Sequence, residues 1–423
     1  MKAHARLDRN VLAVNVDGTV HLLVELHAPS APRVDRAPID VIATIDGSGS
    51  MDGGKLDAVI AAVVQLGRLL GPEDRLGVVV FDSHVRMVLP LGSYDAAELT
   101  RALGSVTAQG YTNLSGGWLM ARKHMAEAGR PEALRRIIVL TDGEANQGVT
   151  DPDQLVDMVK VGTSGGSTIS TSVIGFGDGF NEDLCAAMAD SGGGNDYFCS
   201  GPDHAPQVFQ QEFQGLESVV AQNISVEIRE TDEVVATGLL DEYRVDQVDG
   251  GLRIVVGDAY GDEKRSVIAR LVLRRVELPG PVKVADVVVR WANVVGDLAL
   301  HSTTIPVVVG VEEGVDPDAI PVDQEVVERV DVLNVAKARR EAGDLAERGD
   351  TDAALKRLED AIRIAANRPS MKSTLDDVER DRSVIKEGRW TTGHTKSVKS
   401  RGRGTTKGRR RDFTDDSWGS GTI

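Results

Sequence analysis

A chain of 423 residues that is 41% hydrophobic holds more than one domain of ordinary size. Its net charge of −17 argues against a protein built to coat nucleic acid, and its two cysteines argue against a disulfide scaffold. The start, Met1-Lys2-Ala3-His4-Ala5-Arg6, lacks the apolar core of a signal peptide and no apolar run reaches membrane-spanning length, so a cytoplasmic location is expected.

In chain order, residues 11–14 and 20–26 flank the turn Asp17-Gly18 and read as a hairpin that cannot be stable alone. Apolar runs follow at 39–45, 76–81, 137–140 and 168–174, alternating with helical patterns at 56–70, 116–127 and 152–161. Continuous apolar strands between helices predict an α/β domain, doubly wound around a mostly parallel sheet that is buried on both faces. Residues 85–89 lie too close to residue 80 for a crossover helix, so they are predicted to form one antiparallel edge strand. Cys185 and Cys199 read as two packed thiols.

From 224 to 311 the grammar changes to short β-branched runs, at 234–236, 252–256, 267–274, 282–291 and 300–309, as in an antiparallel β-sandwich. The expectation is that residues 1–36 complete the sandwich of 223–312, and that the α/β domain of 37–222 is inserted within it. Residues 313–385 read as helical. Patterns at 322–348 and 352–366, joined by Gly349-Asp350, are similar to one tetratricopeptide hairpin and are expected to pack on the sandwich. Residues 386–423 read as a disordered tail. Between Lys386 and Arg411 ten Lys and Arg stand against Glu387 alone, a net +9 in a chain of −17, so the remainder carries −26. Contact with that acidic body is the expectation; nucleic acid ranks below it, because no folded reader accompanies the basic stretch.

The most informative run is Asp46-Gly47-Ser48-Gly49-Ser50, on the turn leaving the apolar strand 41–45. Two later loops add Thr112, after Gly110-Tyr111, and Asp142, after the strand 136–140. Together they make five oxygen-bearing side chains on three loops, a set suited to a hard cation such as Mg²⁺ or Mn²⁺, whereas Zn²⁺ would call for His or Cys. Asp46 and Asp142 fall at the carboxyl ends of predicted strands, where open sheets bind ligands. The overlapping run from Gly49 to Lys55 copies seven positions of a phosphate-binding loop. Leu56 then stands where a hydroxyl would hold Mg²⁺, so Lys55 reads as a solvated residue of the first helical turn.

This order of residues closely resembles the von Willebrand factor type A domain and its metal-ion-dependent adhesion site, Asp-x-Ser-x-Ser followed by a distant Thr and a distant Asp, over residues 38–215. The resemblance implies that Ser48, Ser50 and Thr112 touch a Mg²⁺ or Mn²⁺ ion through their hydroxyls, that Asp46 and Asp142 act through water, and that a partner's carboxylate takes the sixth position. Two carboxylates roughly neutralise a divalent ion and the hydroxyls add no charge, which leaves it electrophilic enough for that outside ligand. Tyr111 departs from the Gly that often precedes the Thr and puts an aromatic ring at the rim; with Glu144 and Asn146 it forms the candidate partner-binding rim. The resemblance further implies an intracellular adaptor or scaffold that binds an Asp or Glu carboxylate of a protein partner, with a ring-forming ATPase among the partner classes and no membrane target. Scattered histidines and the lack of a nucleophile motif predict binding rather than catalysis; the alternative is a metal-dependent hydrolase acting on a phosphorylated substrate. Asp412, Asp415 or Asp416 could fill the sixth position in cis.

Overall fold

The computed structural model describes residues 1–31, 36–163, 169–177, 179–199, 201, 204–294, 300–316 and 319–406. Three strands open the chain: β1 (Lys2–Leu7), β2 (Val11–Ala13) and β3 (Gly18–His27). An alternating unit follows, with β4 (Ile39–Asp46), α1 (Lys55–Leu69), β5 (Arg75–Phe81), β6 (Val85–Gly92), α2 (Ala96–Leu103) and α3 (Leu114–Ala128). It continues through β7 (Leu134–Thr141), α4 (Pro152–Thr163), β8 (Ile169–Phe176), α5 (Glu182–Ser191), β9 (Gly193–Cys199) and α6 (Ala205–Glu217).

These strands form one sheet in the order β6-β5-β4-β7-β8-β9, parallel except for β6, which is the antiparallel edge strand that its short connection requires. Every residue of β4 and of β8 is buried, because helices cover both faces. Val59, Val63 and Leu66 of α1, Leu99 of α2 and Phe209 and Phe213 of α6 pack on one side. Trp118 and Met125 of α3, Leu155 of α4 and Met188 of α5 pack on the other. That two-sided cover is why runs such as Val41-Ile42-Ala43 and Ile137-Ile138-Val139 are apolar at consecutive rather than alternate positions. Both cysteines are buried thiols, and burial pushes the Cys199 thiol up to about 11.

Seven strands come next: β10 (Val219–Glu230), β11 (Val234–Leu239), β12 (Arg244–Val248), β13 (Gly251–Tyr260), β14 (Lys264–Leu273), β15 (Gly280–Asn293) and β16 (Leu300–Glu312). With the N-terminal strands they make two facing sheets, β1-β3-β14-β11 and β12-β13-β10-β15-β16-β2. Val20, Leu22, Val24, Val226, Ile254, Val267 and Val287 fill the space between them. The α/β unit therefore sits within a sandwich whose strands lie on both sides of it in the sequence. The expected hairpin across Asp17-Gly18 is not formed. β3 pairs with β1, while β2 crosses to the other sheet and pairs in parallel with β16. Leu12 is buried and a Cβ on Gly18 would lie 3.1 Å from it, so the apolar signal was sound but its partner strand is far away in sequence.

Four helices end the described chain: α7 (Gln324–Glu347), α8 (Thr351–Ala366), α9 (Lys372–Lys386) and α10 (Thr392–Thr406). The expected hairpin is α7 and α8, and Val326, Val330 and Leu333 of α7 seat it on Leu23 and Ile268 of the sandwich. Residues 392–406, expected as part of a disordered tail, instead form α10. Tertiary contacts explain the difference. Lys396 Nζ donates to the Phe180 carbonyl (3.3 Å) and lies 4.9 Å from that ring's centre, while Lys399 Nζ pairs with Asp183 (3.1 Å) and Asp344 (3.2 Å). Two lysines of the basic stretch thus meet the acidic body, as the charge balance suggested. Asp412, Asp415 and Asp416 lie outside the described residues. Among the described residues no helix is long and apolar enough to cross a membrane.

Candidate metal centre

β4 and β7 are hydrogen-bonded neighbours with Ile45 opposite Leu140, so their carboxyl ends lie side by side. Asp46 ends β4, and Asp142 follows the last residue of β7. The chain moves from β4 out to β5 and later returns on the other side as β7, which makes this the point where winding direction switches and a crevice opens.

Local hydrogen bonds shape the first loop. Gly47 N donates to Phe81 O (2.7 Å) and Ser48 N to Asp46 Oδ1 (2.8 Å), turning the chain into a short 3-10 turn, Gly49–Met51, that carries Ser50. Ser48 Oγ and Ser50 Oγ are 3.1 Å apart, and Ser50 Oγ donates to Asp142 Oδ1 at 2.6 Å. The second loop is clamped to the first, as Gln109 N donates to Gly47 O (2.8 Å) and Gly49 N to Gly110 O (3.2 Å). Gly110 has φ +71°, and a Cβ there would meet Ser83 Oγ at 2.4 Å. Gly110→Ala is therefore expected to cost about 1–3 kcal/mol through strain, read by urea denaturation. Unchanged stability would contradict this.

Thr112 is held by Asn146: its N–H donates to Asn146 Oδ1 (2.7 Å) and its carbonyl accepts from the Asn146 N–H (3.2 Å). A Cβ on Gly143 would lie 3.4 Å from Ser50 Oγ and 3.6 Å from Thr112 Oγ1, so both hydroxyls converge above that glycine. The structure thus brings Asp46, Ser48, Ser50, Thr112 and Asp142 onto three adjoining loops. Asp46, Ser48, Thr112 and Asp142 are buried, and Ser50 is exposed, so the group opens to solvent on the Ser50 side.

Two further residues complete it. Thr141 Oγ1 donates to Asp46 Oδ2 at 2.5 Å, and Lys55 Nζ, expected to be solvated, lies 2.5 Å from Asp142 Oδ2 and donates to Ser50 O at 3.1 Å. Thr141 was legible as the strand-end neighbour of Asp142, whereas nothing local links Lys55 to a carboxylate 87 residues away. Burial pushes the Asp46 carboxyl up to about 6; hydrogen bonds from Ser48 and Thr141 work against that rise, and the charge of Asp142 adds to it. The donors are all oxygen, and among the described residues no three His, Cys, Asp or Glu gather into a metal-holding group. The hydroxyls are thus essential to any ligand set here, which fits Mg²⁺ or Mn²⁺ and not Zn²⁺.

Residues 40–212 match the family described as von Willebrand factor type A domain. The solved structure titled von Willebrand factor type A from Catenulispora acidiphila superposes with a TM-score of 0.76, covering 97% of both chains at 19% identity. The chain carries a von Willebrand factor type A domain.

All five candidate ligands lie inside the matched segment of the type A domain, while the sandwich and the terminal helices lie outside it. An uncharacterized protein of Synechocystis sp. is 27% identical over 354 residues, covering 80% of this chain and 82% of that one. An uncharacterized protein of Escherichia coli, YfbK, is 27% identical over 209 residues, 49% of this chain and 36% of that protein. Tyr111, next to Thr112, is 64% exposed and Glu144, two residues after Asp142, is exposed. Asn146 is exposed too, but its amide oxygen is occupied in holding Thr112.

Proposed function

We propose that this protein is an adaptor that binds a protein partner through a Mg²⁺ or Mn²⁺ ion held by Asp46, Ser48, Ser50, Thr112 and Asp142. The observation that carries this reading is the convergence of those five oxygen side chains at the ends of two adjacent strands, with Ser50 Oγ 2.6 Å from Asp142 Oδ1. A bound divalent ion would supply an electrophile for an Asp or Glu carboxylate of the partner. The chain's own residues do the positioning. Thr141 orients Asp46, Asn146 fixes Thr112, and the Ser48 N–H holds Asp46 Oδ1 while Ser48 Oγ meets Ser50 Oγ, which donates to Asp142. Tyr111 and Glu144 then meet whatever approaches.

The test couples ion binding to partner retention. Calorimetric titration with Mn²⁺ should give one site in the wild type and none in Asp46→Ala or Ser48→Ala/Ser50→Ala. A partner from cell extract should be held only by wild type with Mg²⁺, and be released by EDTA. Retention indifferent to ion and mutation would move the interaction to the sandwich or the helices. Hydrolysis of a simple phosphomonoester should stay at the buffer rate; Mg²⁺-dependent turnover lost in Asp46→Ala would replace the adaptor with a hydrolase.

A further inference from the structure

We propose that Lys55 is a tethered cation of the metal centre, sharing Asp142 with the divalent ion, so that it weakens ion binding and keeps the loaded centre positive. This rests on the metal reading above and adds a residue to it. The Lys55 ammonium sits on Asp142 Oδ2 while Asp142 Oδ1 accepts from Ser50 Oγ, so one carboxylate serves the hydroxyl set with one oxygen and the ammonium with the other. The Asp142 side chain is 0% exposed and that of Lys55 is 35% exposed, so water screens the pair from the ammonium side only.

Local structure favours a different residue at this position. Lys55 is the first residue of α1, where the helix dipole disfavours a cation. Gly54, at φ +94°, turns the chain into the helix, and the Lys55 side chain runs back over Ser50 to place its ammonium on the Ser50 carbonyl as well. Gly177 borders the lysine, since a Cβ there would lie 3.8 Å from Lys55 Cε, an ordinary contact.

The charge count sets the consequence. A divalent ion with Asp46 and Asp142 alone is neutral; with Lys55 the group is +1. An incoming ion meets a positive charge already on one of its two carboxylates, and an incoming carboxylate meets a centre that is still positive. Lys55 thus trades affinity for the ion against affinity for an anionic partner.

The experiment is Mn²⁺ titration calorimetry on the full chain at low salt, comparing wild type with Lys55→Met and Lys55→Arg. Lys55→Met should bind Mn²⁺ about severalfold more tightly at low salt, the scale expected for removing one partly exposed unit charge. Lys55→Arg keeps the charge and should stay near wild type, which a purely steric role of the side chain would not produce. Equal or weaker binding by Lys55→Met, with wild type binding normally, overturns the role of Lys55 alone. No binding by any of the three removes the metal reading with it, whereas binding by Lys55→Met but not by wild type upholds the charge effect of Lys55 and removes the ion-dependent adaptor reading.

Discussion

Arg136→Met is expected to lower the stability of the whole chain by roughly 3–5 kcal/mol, the usual cost of removing one partner from a buried ion pair. Arg136 lies near the start of β7 and is fully buried. Its Nη2 lies 3.0 Å from Asp258 Oδ2 on β13 of the sandwich, and its Nη1 donates to Ser172 Oγ at 3.3 Å. Glu212 of α6 stands 3.7 Å from Nε and also accepts from Ser172, Asn195 and Tyr197. Methionine would fill the volume but strand Asp258, whose carboxyl burial already pushes up and whose first compensating charge is Arg136. Because this network joins the type A domain to the sandwich, calorimetry should show one transition in the wild type split into two in the variant. Mn²⁺ binding by the folded variant should persist, since the centre lies past the other end of β7, about 20 Å away at strand rise. Replacing the pair together, as Arg136→Met/Asp258→Leu, should recover part of the loss, the remainder reflecting Glu212, which stays buried without the arginine's charge. A loss under about 1 kcal/mol for the single variant would mean the network does not couple the two domains.

The type A domain was legible because its physics is local. Runs such as Val41-Ile42-Ala43 and Ile137-Ile138-Val139 are apolar at every position, which only a strand covered on both faces requires, and the ligand residues fall where those runs end. What escaped notice depends on residues far apart. Arg136 opens an apolar strand and looks like its polar start, yet its partner is 122 residues away. Lys55 looks like an ordinary helix-start lysine until β7 brings Asp142 to it. The stretch holding Lys396 and Lys399 is poor in apolar residues and contains Gly393 and Gly402, so propensity argues for disorder; the Phe180 carbonyl and the carboxylates of Glu182, Asp183 and Asp344 order it from outside. In the N-terminal segment the turn signal at Asp17-Gly18 was real, but the strands beside it belong to different sheets.

Asp46→Asn should abolish the pH dependence that this carboxyl imposes on stability, and its loss separates proton binding from ion binding. In EDTA the folded Asp46 carboxyl titrates at about 6 against an ordinary value of 3.8, chiefly because it is buried. The folded state then holds this proton more tightly than the unfolded state does. That contribution is complete below about pH 4 and is lost as pH rises through about 6, a change on the order of 3 kcal/mol for a shift of about two units. The asparagine variant has no such proton, so the stability of wild type minus variant should fall over that interval. Mg²⁺ acts with the opposite sign, because ligation needs the deprotonated carboxylate, and its stabilisation of wild type should grow as pH rises through about 6. At 100 times the dissociation constant that gain is about 2.7 kcal/mol. The measurement is urea denaturation across pH with EDTA or Mg²⁺. Parallel EDTA profiles for the two proteins would show that Asp46 is ionised throughout, and equal stabilisation of both by Mg²⁺ would place the ion away from Asp46. Because the proton and the ion compete for one buried carboxylate, the two profiles of the wild type should diverge most above about pH 6, where the EDTA form bears an uncompensated charge and the Mg²⁺ form does not.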